Sequence, residues 1–314
     1  MNILIMGSNY KYQQCYRFMK ALDQTSEITY KYIEMSKEIY GNYDHLLYKD
    51  PIDLEIVERY DFILVFQTEW VVRIKTDNIV VYWDTEFTWF PSCIGADYIF
   101  FIHPERESLF LRYYPQFLKG VKDTLLLPCI LPENEESFDS IELRDRKKGL
   151  FFMGSLISGD LTSYYQRTIY YDRIKVCADL EHAGFLSIPP KNYGSDNNYN
   201  NTMKKWEFGL SVDGRGSYFS PRPIEYCKEG VFPIIYVGTD IRAMNYYEDI
   251  GFKHLHNCYF YDGDVKSLFA FMTGVTRLEN TRNIMNVLEL FKERFTLKAN
   301  INKIKEFLDI DQIR

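Results

Sequence analysis

The stretch that decides the fold reads YFSPRPIEYCKEGVFPIIY over residues 218–236. Arg222 and Glu225 lie three residues apart within it, and a polar, glycine-bearing loop precedes it. The pattern predicts a short helix that ends at Gly230, followed by a buried apolar strand over 232–237. An arginine fork and backbone N–H groups at such a turn suit phosphate oxygens. A glutamate one turn later can accept hydrogen bonds from a ribose, so the stretch indicates a site for a nucleoside diphosphate.

The bulk composition describes a globular chain of ordinary kind. Its 314 residues are enough for two domains, and 46% hydrophobic with 26% charged residues exclude wholesale disorder. A net charge of −7 argues against a globally basic nucleic-acid binder, although it leaves room for a local basic groove.

The spacing of the cysteines and the hydropathy of the chain predict where in the cell the protein is located. Six cysteines without any C-x-x-C pair predict reduced, mostly buried thiols. The first residues read as a strand rather than a signal peptide, and no apolar run reaches the roughly 18 residues that span a bilayer. We therefore expect a cytoplasmic protein with no membrane span.

Strands and helices alternate along the first part of the chain, residues 1–130. Strands are predicted over 2–6, 28–33, 61–66, 79–83, 96–102 and 124–128. Helices are predicted up to Leu22, over 52–59 and over 105–113. The run Phe62–Phe66 is continuously apolar, as a parallel sheet buried on both faces requires. This alternation predicts a doubly wound α/β domain.

A second α/β series follows the polar, charged linker at 131–148 and occupies residues 149–293. It opens with the strand and glycine turn at 149–155. Strands are predicted over 208–212, 232–237 and 258–261, and helices over 161–183, 265–273 and 279–293. An amphipathic helix over 301–308 lies in the last segment, 294–314. The fold class is therefore α/β, with two Rossmann-like doubly wound domains that we expect to face a cleft, where open α/β sheets bind their ligands.

The order of these pieces resembles the GT-B class of nucleotide-sugar-dependent glycosyltransferases. The run RPIEYCKEGVFPII at 222–235 is similar to the donor-site element of that class: a Glu, four residues, a Gly and an apolar strand. The run VVYWDTE at 80–86 and the strand near Gly95 resemble the acceptor domain of spore-maturation-type glycosyltransferases. The same pieces resemble the α-glucosyltransferase of T-even bacteriophages, which acts on hydroxymethylated DNA. The chain departs from the class in having Ser217 where a second Glu is common, and larger residues at 226–228.

The resemblance implies an enzyme that moves a hexose from a nucleotide-diphosphate sugar, UDP-linked in our prediction, to a hydroxyl acceptor. It implies no cofactor beyond that co-substrate, no required metal, a retaining outcome, and a last helix that crosses back to the first domain. The sugar, the base, the acceptor and the oligomeric state are left open.

Donor-binding residues are predicted in the second domain. Arg222 is expected to hold the diphosphate, or simply to form a salt bridge with Glu225, which is the candidate ribose ligand. Gly154 and Ser155 are expected to let phosphate approach the backbone, unless they form an ordinary strand-to-helix turn. The remaining donor-binding candidates are Ser220, Arg167, Arg173 and Lys204. Together with Lys205, the last three of these make four candidate cations, of which one or two should neutralise the leaving diphosphate.

Catalytic and acceptor-binding residues are predicted in the first domain. Asp84 and Glu86 follow a buried strand, where one carboxylate could deprotonate the acceptor, bind a divalent cation or merely cap a loop. His103 follows another strand as a second candidate base. Acceptor-binding roles are predicted for Gly7, Ser8 and Trp89.

The acceptor has two predicted classes. Hydroxymethylated DNA would need a basic rim, for which the candidates are Arg106, Arg112, Lys119, Lys122, Arg144, Arg146, Lys147 and Lys148. The resemblance to the phage enzyme favours this DNA acceptor, whereas the net negative charge favours the alternative, a cell-surface glycan or a protein. A non-catalytic nucleotide or sugar-phosphate binder on the same fold is the rival from another class. A dinucleotide-dependent oxidoreductase is disfavoured because no G-x-G-x-x-G follows either glycine turn.

Overall fold

The computed structural model of this chain describes residues 1–8, 14–35, 51–67, 71–85, 91–134, 146–153, 171–188, 201–212, 220–239 and 241–310. Its contacts divide the chain into two compact units. Unit 1 consists of Met1–Pro132 and Thr296–Arg314, and unit 2 consists of Glu133–Phe295. Each unit is built around a parallel sheet of its own.

The elements of unit 1 up to residue 132 are β1 (Asn2–Gly7), α1 (Gln14–Leu22), β2 (Thr29–Glu34), β3 (Ile52–Glu55), β4 (Phe62–Phe66), β5 (Val72–Lys75), β6 (Val80–Asp84), β7 (Cys93–Ile94), β8 (Tyr98–Phe101), α2 (Pro104–Tyr113) and β9 (Asp123–Leu126). Unit 2 contains β10 (Lys147–Phe152), α3 (Tyr171–His182), β11 (Leu186–Ser187), β12 (Trp206–Ser211), α4 (Arg222–Lys228), β13 (Phe232–Tyr236), α5 (Ile241–Asp249), β14 (Tyr259–Tyr261), α6 (Val265–Gly274) and α7 (Arg277–Arg294). The chain ends in α8 (Leu297–Phe307).

The main sheet of unit 1 has the strand order β2-β1-β4-β6-β8-β9, and its strands pair in parallel. Strands β4 and β6 are buried along their whole length, because layers cover both faces of the sheet. One face packs on α1 and α8, for example through Phe18 and Ile304. The other packs on α2 and a smaller sheet, for example through Phe110 and Val72. The predicted α/β class is confirmed for this unit.

The helix predicted over 52–59 is wrong. Residues Ile52–Glu55 form β3, which pairs in parallel with β5, and β5 pairs in turn with β7. Asp53 lies opposite Arg73 and forms ion pairs with Arg73 and with Lys75, at 3.3 and 2.8 Å. Side chains of β3 alternate between half-buried and exposed, which is the two-residue period of a strand on one face of a core.

The last helix belongs to unit 1 although it follows unit 2 in sequence. Thr296 caps it by accepting a hydrogen bond from the Ala299 N–H at 3.2 Å. Its Lys303 Nζ donates to the carbonyl of Leu126, at the end of β9, at 3.2 Å. Phe307 packs edge-on against Tyr98 of β8. These contacts place α8 on the face of the sheet that α1 also covers.

The sheet of unit 2 has the order β11-β10-β12-β13-β14 and is again parallel. Helix α4 lies on β12 through Tyr226, whose ring contacts the bare backbone of Gly209 and whose hydroxyl donates to the Leu210 carbonyl at 2.8 Å. A Cβ on Gly209 would lie 2.7 Å from that ring, so this close approach requires glycine. Gly230 ends α4 with φ 61°, the left-handed conformation expected after a helix.

Two helices of unit 2 and the six cysteines can be compared directly with the predictions from the sequence. Helix α5 (Ile241–Asp249) has no counterpart among the predicted elements. The helix predicted over 161–183 is present as Tyr171–His182, and its first part lies outside the described residues. All six cysteines are buried thiols, as predicted. In the part of the chain that the structure describes, every helix is too short or too polar to cross a membrane.

Candidate functional site

Residues at the carboxyl edge of the unit 2 sheet, where the carboxyl ends of its parallel strands meet, form the candidate site. Ser220 lies immediately before α4, and its backbone N–H donates to the Tyr247 hydroxyl of α5 at 3.1 Å. The Ser220 hydroxyl accepts from the Arg222 N–H at 3.2 Å. These two bonds fix the first turn of α4, which carries both Arg222 and Glu225.

Arg222 and Glu225 form an ion pair in which Arg222 Nη1 donates to Glu225 Oε2. The Glu225 side chain is 7% exposed and that of Arg222 is 23% exposed. A charge-assisted bond to a largely buried carboxylate fixes its orientation. The pair therefore presents one acceptor and one cation in a fixed arrangement. Both predictions for Arg222, a salt bridge and a diphosphate ligand, are compatible with this contact.

Arg173 reaches the same edge from the first turn of α3. Its Nε donates to the Val212 carbonyl at 3.1 Å, directly after β12, and its guanidinium lies 5.7 Å from the ring centroid of Phe152, at the end of β10. A cation that is held by a carbonyl and an aromatic face keeps its charge at a fixed place. The structure thus places Arg173 at the ends of two neighbouring strands on the edge to which α4 connects.

Two further polar groups at this edge were not predicted from the sequence. Tyr247 supports Ser220, as described above. Ser211, the last residue of β12, is buried, and within the described residues no hydrogen-bond partner contacts its hydroxyl. An unsatisfied buried hydroxyl costs about 1–3 kcal/mol, so a polar partner is expected there. The sequence signal for Ser211 was its place at the end of an apolar strand.

Lys204 does not lie with these residues. It precedes β12 and therefore lies at the amino edge of the sheet, where its Nζ forms an ion pair with Glu229 at 3.7 Å. The six residues of β12 separate the two edges by roughly 20 Å. The prediction that Lys204 binds the donor is not supported by this position.

Asp84, the predicted base at the end of β6, is fully buried and paired. Arg106 of α2 donates to it through Nε and, at 2.8 Å, through Nη2, and Tyr82 donates to it at 3.1 Å. Both partners of the ion pair are at most 3% exposed. Burial disfavours the charged guanidinium, but the Asp84 carboxylate outweighs this and raises the pKa of Arg106. Asp84 therefore ties β6 to α2 and is not placed to take a proton from a substrate.

His103 is the N-cap of α2. Its Nδ1 accepts from the Glu105 N–H at 3.1 Å, so the proton of the neutral ring resides on Nε2. Burial, and then the nearby charge of Arg106, lower the pKa of His103 to about 4. At neutral pH the ring is uncharged, and its Nε2, which is buried, already carries the proton. This geometry suits a hydrogen-bond donor, and the predicted role as a general base does not follow from it.

Gly7 ends β1 and Ser8 follows it, at the carboxyl edge of the unit 1 sheet. A Cβ on Gly7 would lie 2.7 Å from the sulfur of Cys15 and 3.1 Å from Phe66, so helix packing explains the glycine. The Ser8 hydroxyl is buried and contacts no hydrogen-bond partner among the described residues. Acceptor binding stays a prediction for Ser8.

Other predicted site residues lie outside the described residues: Glu86, Trp89, Gly154, Ser155 and Arg167. Across the described ranges, no three His, Cys, Asp or Glu side chains are grouped so that they could hold a metal ion.

Comparison with known proteins identifies the fold. No protein-family model and no curated protein matches the chain. Among solved structures, HepE from Anabaena in complex with UDP is 9% identical, with 98% of this chain and 100% of that chain covered and a TM-score of 0.54. A glycosyltransferase from Rickettsia africae is 10% identical, with 98% of each chain covered and a TM-score of 0.52. The N-terminal domain of a Candida albicans trehalose-6-phosphate phosphatase is 8% identical, with 98% and 97% covered and a TM-score of 0.54.

At a sequence identity of 8–10%, these similarities establish only the fold. The chain has the GT-B fold, with two Rossmann-like α/β units, and the predicted fold class is confirmed in this respect.

Proposed function

We propose that this protein is a glycosyltransferase that moves a hexose from a UDP-sugar to a hydroxyl acceptor. The observation that carries the proposal is the Arg222–Glu225 pair at the carboxyl edge of the unit 2 sheet. In open α/β folds this edge is where ligands bind. The structural neighbour HepE, which covers 98% of this chain, was solved in complex with UDP and in complex with UDP and glucose.

Glu225 and the two arginines divide the nucleotide between them in this proposal. The carboxylate of Glu225 accepts hydrogen bonds from the two ribose hydroxyls, since it is held in place by Arg222 and largely shielded from water. Arg173 and Arg222 bind the diphosphate, on which negative charge grows as the glycosidic bond breaks. Fixed cations are most effective where they need no rearrangement, and the Val212 carbonyl and the Phe152 ring hold Arg173 in this way. The transfer we propose therefore needs no metal.

The acceptor in this proposal is a neutral hydroxyl of a glycan or a protein rather than DNA. Two of the cations predicted to form a basic rim are engaged within the protein: the buried Arg106 with Asp84, and the half-buried Arg146 with the carbonyls of Glu229 and Gly230. Lys122 is paired with Asp97 at 3.1 Å. Each phosphate contact that is lost weakens binding to DNA, and the net charge of −7 adds repulsion. A retaining outcome stays a prediction from the resemblance.

A non-catalytic nucleotide binder is the second candidate, and one observation favours it. Asp84 is tied to Arg106, so the described residues of unit 1 supply no accessible carboxylate at the place where a base was predicted. Binding of UDP-sugar without transfer to any hydroxyl, and without slow hydrolysis, would identify the protein as a binder.

The test is calorimetric titration of the protein with UDP, UDP-sugars and the corresponding GDP and ADP compounds, with and without Mn²⁺. We expect UDP compounds to bind, and Glu225→Ala to weaken binding at least tenfold, because a charge-assisted bond is worth about 1.5–3 kcal/mol. Glu289→Gln, at an exposed carboxylate on α7 of the same unit, is the matched control and should bind as the wild type does. If no nucleoside diphosphate binds, or if Glu225→Ala binds as tightly as the wild type, the proposal fails.

A further inference from the structure

The C-terminal end of α4 is held by two side chains from the segment that precedes β10. Asn134 Nδ2 donates to the Lys228 carbonyl at 2.8 Å. Arg146 donates through Nη2 to the Glu229 carbonyl at 3.1 Å and through Nη1 to the Gly230 carbonyl. We call Asn134 and Arg146 the α4 clamp. Both belong to unit 2, and twelve positions separate them in sequence.

The carbonyls at the end of α4 show what the clamp supplies. The last carbonyls of a helix have no partner inside it. Those of Glu225, Tyr226 and Cys227 accept from the backbone N–H groups of residues 229–231. The next carbonyls, of residues 228–230, accept from the clamp. Without Asn134 and Arg146, the segment that ends the helix would lose its side-chain hydrogen bonds while remaining largely buried.

The charge of Arg146 acts in the same direction. A cation near the C-terminus of a helix interacts favourably with the helix dipole. Arg146 also lies near the buried carboxylate of Glu229, and burial, partly offset by Glu229, lowers the pKa of Arg146 to about 10. Arg146 remains charged at neutral pH. Its planar fork donates from two separate nitrogens to the two neighbouring carbonyls, a geometry that the single nitrogen of a lysine does not reproduce.

The clamped end of α4 is only one helical turn from Glu225, the residue proposed to bind the ribose. Glu229 N–H donates to the Glu225 carbonyl at 3.2 Å, so a shift of the clamped end moves Glu225 directly. Tyr226 anchors the side of the helix on Gly209, and the clamp holds residues 228–230 at its C-terminal end. A short helix that is fixed at its C-terminal end presents its first turn at a defined height above the sheet.

From these contacts we infer that Asn134 and Arg146 are positioning residues for the nucleotide site, acting through α4 on Arg222 and Glu225. The inference rests on the proposed function, because the quantity that the clamp controls is affinity for the nucleoside diphosphate. Neither residue touches the nucleotide. Their loss should therefore weaken UDP binding without changing which nucleotide is preferred.

The experiment measures the affinity of UDP by calorimetric titration for the wild type, Asn134→Ala and Arg146→Lys. The matched control is Lys148→Ala. Lys148, two residues after Arg146, also donates to a backbone carbonyl of unit 2. Its Nζ contacts the Val275 carbonyl, at 3.3 Å, which does not belong to α4. Titrations are made at a temperature where each variant is fully folded by circular dichroism, so that a loss of stability alone leaves the dissociation constant unchanged.

We expect Asn134→Ala and Arg146→Lys to raise the dissociation constant of UDP three- to tenfold and Lys148→Ala to leave it within twofold. Hydrogen exchange should be faster at residues 225–231 in both clamp variants and unchanged in α6. If Arg146→Lys does not fold, Asn134→Ala carries the test. Unchanged affinity in the folded clamp variants, or an equal loss in Lys148→Ala, overturns the inference while the proposed function stands. A wild type that binds no UDP refutes the proposed function and the inference with it.

Discussion

The buried Asp84–Arg106 pair allows a test that separates a structural from a catalytic carboxylate. The perturbation is Asp84→Asn, which removes the negative charge and leaves the guanidinium of Arg106 uncompensated in a site where it is 3% exposed. Removing one partner of a buried ion pair typically costs about 3–5 kcal/mol. Asparagine keeps one accepting oxygen for Arg106 or Tyr82, so we expect a value near 3 kcal/mol, the lower end of that range.

A compensated variant sharpens the test. In Asp84→Leu combined with Arg106→Met, no charge is left buried, and apolar replacement of a buried pair is often neutral or stabilising. We expect the double variant to recover most of the stability that Asp84→Asn loses. The hydroxyl of Tyr82 would lose Asp84 as an acceptor, and it still accepts from the Ser92 N–H at 3.3 Å.

The assay is urea unfolding followed by tryptophan fluorescence in a Trp206→Phe background. Three of the four tryptophans then remain, at positions 70, 83 and 89, so that the signal reports on unit 1. Transfer from UDP-glucose to water or to a sugar acceptor is measured on the same samples. Asp84→Asn could instead match the free energy of unfolding of the wild type within about 0.5 kcal/mol and lose transfer activity. That result would refute a purely structural role for Asp84 and would support its predicted role as the catalytic base.

Two further predictions concern His103 and Gly209. Because the pKa of His103 is about 4 when folded and 6.5 when unfolded, the unfolded chain binds more protons between these values. The free energy of unfolding should therefore fall by about 3 kcal/mol as the pH drops from 7 to 4, and His103→Asn, which keeps the helix cap, should remove that slope in urea titrations at each pH. Gly209→Ala places a Cβ 2.7–2.8 Å from three ring atoms of Tyr226 and should cost about 1–3 kcal/mol. Tyr226→Leu should relieve that cost in the double variant, and a stabilising Gly209→Ala would contradict the packing argument.

The main sheets could be predicted from the sequence because their strands carry the signal within themselves. Phe62–Phe66 is apolar at every position, and only a strand covered on both faces needs that. The helix prediction at 52–59 failed although Ile52, Leu54 and Ile56 alternate with acids, the two-residue period of a strand. What decides this segment is its partner β5, twenty residues away, whose Arg73 and Lys75 neutralise Asp53.

In the candidate site, too, contacts between residues close in sequence could be predicted and contacts between distant residues could not. Arg222 and Glu225 are three residues apart, so a local pattern was enough to bring them together. The role of Asp84 depends on Arg106, which is 22 residues away on another element, and no spacing rule links the two. Lys204 is a different case, because its position in the chain already argues against a place at the donor site. It stands before its strand, which alone places it at the amino edge of a parallel sheet, away from the ligand side.

The larger residues at 226–228, where the resembling class has small ones, are explained by the neighbouring strand. Tyr226 is fully buried, and it fits because Gly209 opposite has no side chain. Cys227 is buried behind it, and the Lys228 carbonyl belongs to the clamp. Positions 226 and 228 therefore attach α4 to β12 and to the segment before β10, while the first turn of the helix carries Arg222 and Glu225. A departure that is matched by a glycine on the adjacent strand concerns how the helix packs on the sheet, so it does not count against the proposed nucleotide site at the first turn.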